Sequence, residues 1–215
     1  MRNAIALAAA VVVFALPAFA DDEYQHPFEA SVSRAGIRRV VVDIPAGEID
    51  VRNGAGRMIA ISGEVRGGRR SVVDDTNVVI NVNGDEATIT RTFGPNARSW
   101  NARTFHNEVR LRVEVPSDVD VELGTHFGEV SIDGEFGDVR VDLRAGEIHL
   151  RTPHDAVRDL NASVRVGEVH ADLGSEHVSN EGVFPGATHF HNANGRRSHI
   201  DLHTTAGEVH VTLTR

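Results

Sequence analysis

Glutamate and histidine recur two residues apart in this chain, each pair following a glycine. The units are Gly146-Glu147-Ile148-His149-Leu150, Gly167-Glu168-Val169-His170-Ala171 and Gly207-Glu208-Val209-His210-Val211. In an extended strand, side chains alternate between faces, so acid and imidazole share one face while the apolar residues take the other. His199, Asp201 and His203 repeat that one-face spacing, as do His189 and His191. Imidazole and carboxylate suit zinc, copper or nickel. His149, His170, His199, Asp201, His203 and His210 are therefore the candidate metal ligands, with a divalent ion such as zinc as the one candidate cofactor. Established zinc spacings, His-Glu-x-x-His among them, are absent. A solvated polar face accounts for the same residues.

A second candidate lies in the loop Gly94-Pro-Asn-Ala-Arg-Ser-Trp-Asn-Ala-Arg-Thr-Phe105. Here Trp100 sits between Arg98 and Arg103. A planar ring flanked by guanidinium groups can stack on sugars or hold anionic polymers. The competing role is a plug at one end of the core. Catalysis has thin support. Asp74-Asp75, or Asp133 with Glu135, could serve as an acid-base pair on a carbohydrate-active enzyme. Outward acids at alternating positions are also what solubility alone requires. No Gly-x-Ser-x-Gly occurs and no cysteine exists, so the chain reads as a non-enzyme.

The elements that position these residues are strands. Val109-Arg-Leu-Arg-Val-Glu-Val115 alternates strictly and stops at Pro116. Val78–Val82 and Ala87–Thr90 flank Asn83-Gly84-Asp85, a strong hairpin signal. No apolar helical period extends over a dozen residues. Within residues 128–150, glycines recur at 128, 137 and 146, each followed by an acid and an apolar-polar-apolar run. That interval is odd, whereas the strand period is two. Keeping Val130, Ile132, Val139, Val141, Ile148 and Leu150 inside requires a bend in each unit. Glycine supplies it by tolerating positive φ. Val169, Val209 and Val211 extend the expected core. The fold expected is all-β, a single right-handed β-solenoid or β-helix-like stack of short strands with glycine corners. A β-sandwich or meander is the alternative.

Residues 1–20, MRNAIALAAAVVVFALPAFA, have a basic start, an apolar stretch and an Ala-Phe-Ala cleavage site. They read as a signal peptide, leaving 21–215 as one all-β repeat domain. Repeats are most regular over 118–215, and a His- and Asn-rich insertion occupies 174–197. No apolar run after the leader is long enough to span a bilayer as a helix, and no cysteine is present for lipidation. The expected location is the periplasm or the exterior. The formal net charge of −9, without a long basic run, argues against nucleic acid. All twelve histidines follow the leader, so their protonation would swing the net charge to slightly positive.

The ordered set of motifs carries a family resemblance. A first strand ends in Pro45-Ala-Gly-Glu-Ile-Asp-Val51. Val113-Glu-Val-Pro-Ser-Asp-Val-Asp-Val-Glu-Leu123 follows, then the Gly-x-Val-x-Val units, then Ile200-Asp-Leu-His-Thr-Thr-Ala-Gly-Glu-Val-His-Val-Thr-Leu213. The set resembles a bacterial domain-of-unknown-function family of putative adhesins, over nearly all of 21–215. That resemblance implies an extracytoplasmic, β-helix-like domain and supplies no catalytic residues. The function expected is an adhesin-like binding or structural module of the envelope. Its partner would be envelope polymer, a surface protein or another copy of itself through open solenoid ends. A metal- or pH-responsive envelope protein is the second expectation.

Overall fold

The computed structural model describes residues 24–54, 56–95, 107–174, 177–180, 186–196 and 198–215. The leader of residues 1–20 and the Arg98, Trp100 and Arg103 loop lie outside the described residues. The elements are β1 (Tyr24–Ser33), β2 (Arg39–Asp43), β3 (Ala46–Asn53), β4 (Met58–Gly67), α1 (Arg70–Asp74), β5 (Thr76–Asn83) and β6 (Glu86–Phe93). After these come β7 (Asn107–Val115), β8 (Asp120–Asp133), β9 (Val139–Pro153), β10 (Val157–Asp172), β11 (His177–Asn180), β12 (Gly186–His191) and β13 (Ser198–Thr214). The protein is all-β, and its thirteen strands form one sheet that does not close on itself. The five-residue helix α1 has no counterpart in the sequence reading.

Four long strands make the centre. β8, β9, β13 and β10 lie side by side in that order, parallel and in register. Each strand bends at a glycine, Gly128, Gly146, Gly207 and Gly167 respectively, with φ between 130° and 139°. These glycines pair with one another, and Gly47 of β3 extends the row. A Cβ on any of them would overlap a backbone carbonyl oxygen of the next strand. The bend resets the alternation. Before it Val121, Leu123 and Thr125 point inward on β8, and after it Val130 and Ile132 do. Each strand thus has two arms with the core in the angle between them. All nine expected core residues are buried, none more than 3% exposed.

Two details depart from the sequence reading. Gly137, which looks like Gly128 and Gly146 in sequence, is not a corner with positive φ. It sits before β9 against the Asp120 carboxylate, which accepts a hydrogen bond from the Asp138 amide at 2.8 Å. The two neighbouring motifs therefore fall on one strand, β9, with Val139-Arg-Val141 on the arm before the bend and Ile148-His-Leu150 on the arm after it. The second departure is that both ends of the parallel stack are covered. β7 and β6 continue it beyond β3 and β2, then β4 and β5 pair with them antiparallel. At the other end, β11 and β12 from the 174–197 insertion pair antiparallel with the two arms of β10. The ends expected to be open carry antiparallel strands instead. The Asn83-Gly84-Asp85 signal does close the β5–β6 hairpin, with Gly84 at φ 64° and Asn83 opposite Glu86.

Candidate functional site

The outer face of the second arm is built by register. Because Gly47, Gly128, Gly146, Gly207 and Gly167 align, the residues after them align too. Glu48, Glu129, Glu147, Glu208 and Glu168 form a column of carboxylates. Two residues on, Asp50, Ser131, His149, His210 and His170 form a second column. The imidazoles stack face to face. His149 and His210 have ring centroids 4.8 Å apart at 7°, and His170 and His210 5.1 Å apart at 16°. Strand separation of about 4.8 Å sets that spacing.

Each imidazole Nε2 meets the carboxylate of its own strand. The distances are 3.1 Å for His149–Glu147, 3.2 Å for His170–Glu168 and 3.0 Å for His210–Glu208. His149 also lies 3.7 Å from Glu129. A carboxylate only accepts, so the neutral rings donate from Nε2–H. At the β7 end, arginine takes over the pairing. Arg110 meets Glu48 and Arg112 meets Asp50, each at 3.2 Å. Among the described residues, the four glutamates from Glu129 to Glu168 have imidazole, not guanidinium, for company. With neutral rings this part of the face is anionic.

A second group of histidines lies along the first arm and on β12 beside it. Asp159 accepts from His191 at 2.6 Å and from His199 at 3.0 Å. Its carboxyl is held below the usual range, first by the His191 hydrogen bond, with burial opposing and the charges of His191, His199 and Arg158 reinforcing. His189 meets Asn161 at 2.6 Å, and Asn161 donates to Asp201 at 3.0 Å. His203 Nδ1 lies 3.1 Å from the Ser163 hydroxyl. The six candidate metal ligands thus divide between two faces, His149, His170 and His210 on one and His199, Asp201 and His203 on the other. Among the described residues no group of three or more such side chains is arranged to hold a metal ion.

Three participants escaped the sequence reading of the site. Glu129 gives His149 a second carboxylate, Asp159 joins His191 to His199, and Ser163 meets His203. The signal was there in Asp159-x-Asn161-x-Ser163, which has the same alternation as His199-x-Asp201-x-His203. Its pairing with that segment required knowledge of the neighbouring strand.

No protein-family model matches the sequence, and no curated protein does. Solved structures do match. A putative cell adhesion protein from Clostridium sporogenes superposes with a TM-score of 0.53 at 12% identity, over 89% of this chain and all of that one. The two share a fold. A putative adhesin from Parabacteroides distasonis aligns at a TM-score of 0.30 and 9% identity, over 89% of this chain and 98% of that one. A putative lipid binding protein from the same species aligns at 0.28 and 8%, over 59% and 50%.

Proposed function

We propose that this chain is a non-enzymatic, extracytoplasmic, adhesin-like binding or structural module of the bacterial envelope. The observation that carries the reading is the second-arm face, where a carboxylate recurs on every strand and an imidazole on β9, β13 and β10, on a tightly registered support. Such a face suits a polymer or surface protein that offers repeated contacts. The leader pattern in residues 1–20 supports a periplasmic or external location. Among the described residues no helix is long and apolar enough to cross a membrane. The fold shared with a putative cell adhesion protein supports the adhesin-like role. We read the bent parallel stack as a right-handed solenoid-like coil, that hand being the one parallel connections favour.

The test is co-sedimentation with isolated bacterial envelopes. Wild-type protein should pellet with them, and a Glu129→Gln, Glu147→Gln, Glu208→Gln variant should stay in the supernatant. These side chains are about half exposed, at 50%, 53% and 47%. Their substitution should change stability by no more than about 0.5 kcal/mol each. Equal pelleting of the two proteins would sink the reading.

A second reading, a divalent-metal- or pH-responsive envelope protein, is favoured by His149 facing both Glu147 and Glu129. On this reading zinc at a hundredfold excess over its Kd stabilises the protein by about 2.7 kcal/mol. The melting temperature would rise by roughly 5–11 °C for a chain of this size. His149→Ala with His210→Ala should remove the rise, whereas His199→Ala with His203→Ala should not. Removal only by the latter pair would move the metal to the first-arm face. No rise at all would end the reading.

A further inference from the structure

The outer face of the first arm contains a notch of about 290 Å³, lined among others by Asp43, Gly124, Thr125, His126, Asp142 and Arg144. Gly124 of β8 is its floor, in register with Asp43 of β2 on one side and Asp142 of β9 on the other. Gly124 has no positive φ, and a Cβ placed on it meets nothing within 4 Å. Neither backbone conformation nor packing calls for glycine there. Glycine in a strand costs stability relative to a β-branched residue, and what it supplies at this position is room.

The groups around the floor are sorted by charge. Asp43 and Asp142 flank it in one row, about 9.6 Å apart at Cα from two strand spacings. Two residues further along the strands, about 7 Å away, His126 and Arg144 occupy the same outer face. Asp142 already receives Arg140 at 3.0 Å. Asp43 and Arg144 have no ion-pair partner among the described residues. The concavity beside Glu48 and Asp50 differs, because Arg110 and Arg112 already neutralise its acids.

We propose that this notch binds the zwitterionic head of an amino acid, with its ammonium against Asp43 and Asp142 and its carboxylate against Arg144 and His126. Paired opposite charges on the ligand match paired opposite charges on the protein, which a sugar or a simple cation would not. The chemistry has two sources: a free amino acid, or an amino-acid end left free on a peptide side chain. The inference is independent of the Glu-His face and its envelope test.

The experiment is an NMR titration of the leaderless chain. The two probes are free alanine and a peptide whose lysine is joined through its ε-amine, leaving its α-ammonium and α-carboxylate free. Acetate and methylammonium are the single-charge controls. Shifts centred on Gly124 and Thr125 are expected with a Kd of about 1 mM for at least one probe. Response to the peptide alone assigns the site to a polymer-borne group, and response to alanine assigns it to the free molecule. Asp43→Asn and Arg144→Gln should each weaken binding at least about tenfold, near 1.4 kcal/mol. Gly124→Val should abolish binding while leaving the melting temperature unchanged or higher, so loss of fold cannot mimic the result. Absence of shifts with either probe at about 20 mM would overturn the proposal. Undiminished binding by Gly124→Val, or equal binding of acetate or methylammonium, would overturn it too.

Discussion

Val141→Asp yields no folded protein. Val141 is 1% exposed on the first arm of β9, with Leu123 of β8 and Leu202 of β13 as its neighbours in register. Both of those are themselves 1% exposed. The aspartate carboxylate would have neither water nor a cation beside it. An uncompensated buried charge costs about 3–5 kcal/mol. Loss of the valine's burial removes about 1.5–3 kcal/mol more. The sum approaches the whole stability of an ordinary domain, about 5–15 kcal/mol. Val141→Ala is the control, losing roughly 2 kcal/mol and remaining folded. Circular dichroism and soluble yield decide it, and a native spectrum from Val141→Asp would count heavily against this core.

Gly146→Ala is the second large effect, and it acts through the backbone. Gly146 has φ 137°, a conformation L side chains rarely adopt, and an added Cβ would overlap the Gly128 carbonyl oxygen. Backbone strain of this kind costs about 1–3 kcal/mol. The overlap is with main chain, which cannot rotate away, so a total upwards of about 3 kcal/mol is expected. Thermal melting should fall by roughly 6–12 °C or more. A Gly146→Ala protein melting within a degree or two of wild type would show that the corner tolerates a side chain. The contrast with Gly124→Val is informative. Both glycines lie on the central parallel strands, yet one is required by the bend and the other leaves a vacant floor.

These outcomes separate what can be read locally from what cannot. Alternation is a property of residues two apart, so Val130, Ile132, Ile148, Leu150, Val209 and Val211 could be assigned to the interior from their neighbours alone. The need for a bend followed from the same parity, and the β5–β6 hairpin from Asn83-Gly84. The pairing of Glu147 with His149, Glu168 with His170 and Glu208 with His210 is likewise local, because one strand face holds both members. The histidines that meet Asp159 and Ser163 were beyond that reach, since their partners arrive from other strands.

The sequence by itself determined the all-β class, the inward and outward residues, and the presence of carboxylate and imidazole on one face. Tertiary structure decided the order of the strands. β13, last in the chain, lies between β9 and β10, so His210 stacks between His149 and His170. The Gly-acid-apolar units are nearly interchangeable as strand partners, and their local pattern favours no neighbour over another. The choice falls to the connections, and the 174–197 insertion lays β11 and β12 over the far edge of β10 while β13 fills its near edge. The same reason separates Gly128 from Gly137. Their surroundings in sequence match, but only Gly128 stands where the chain must turn between two arms against the carbonyl of an adjacent strand.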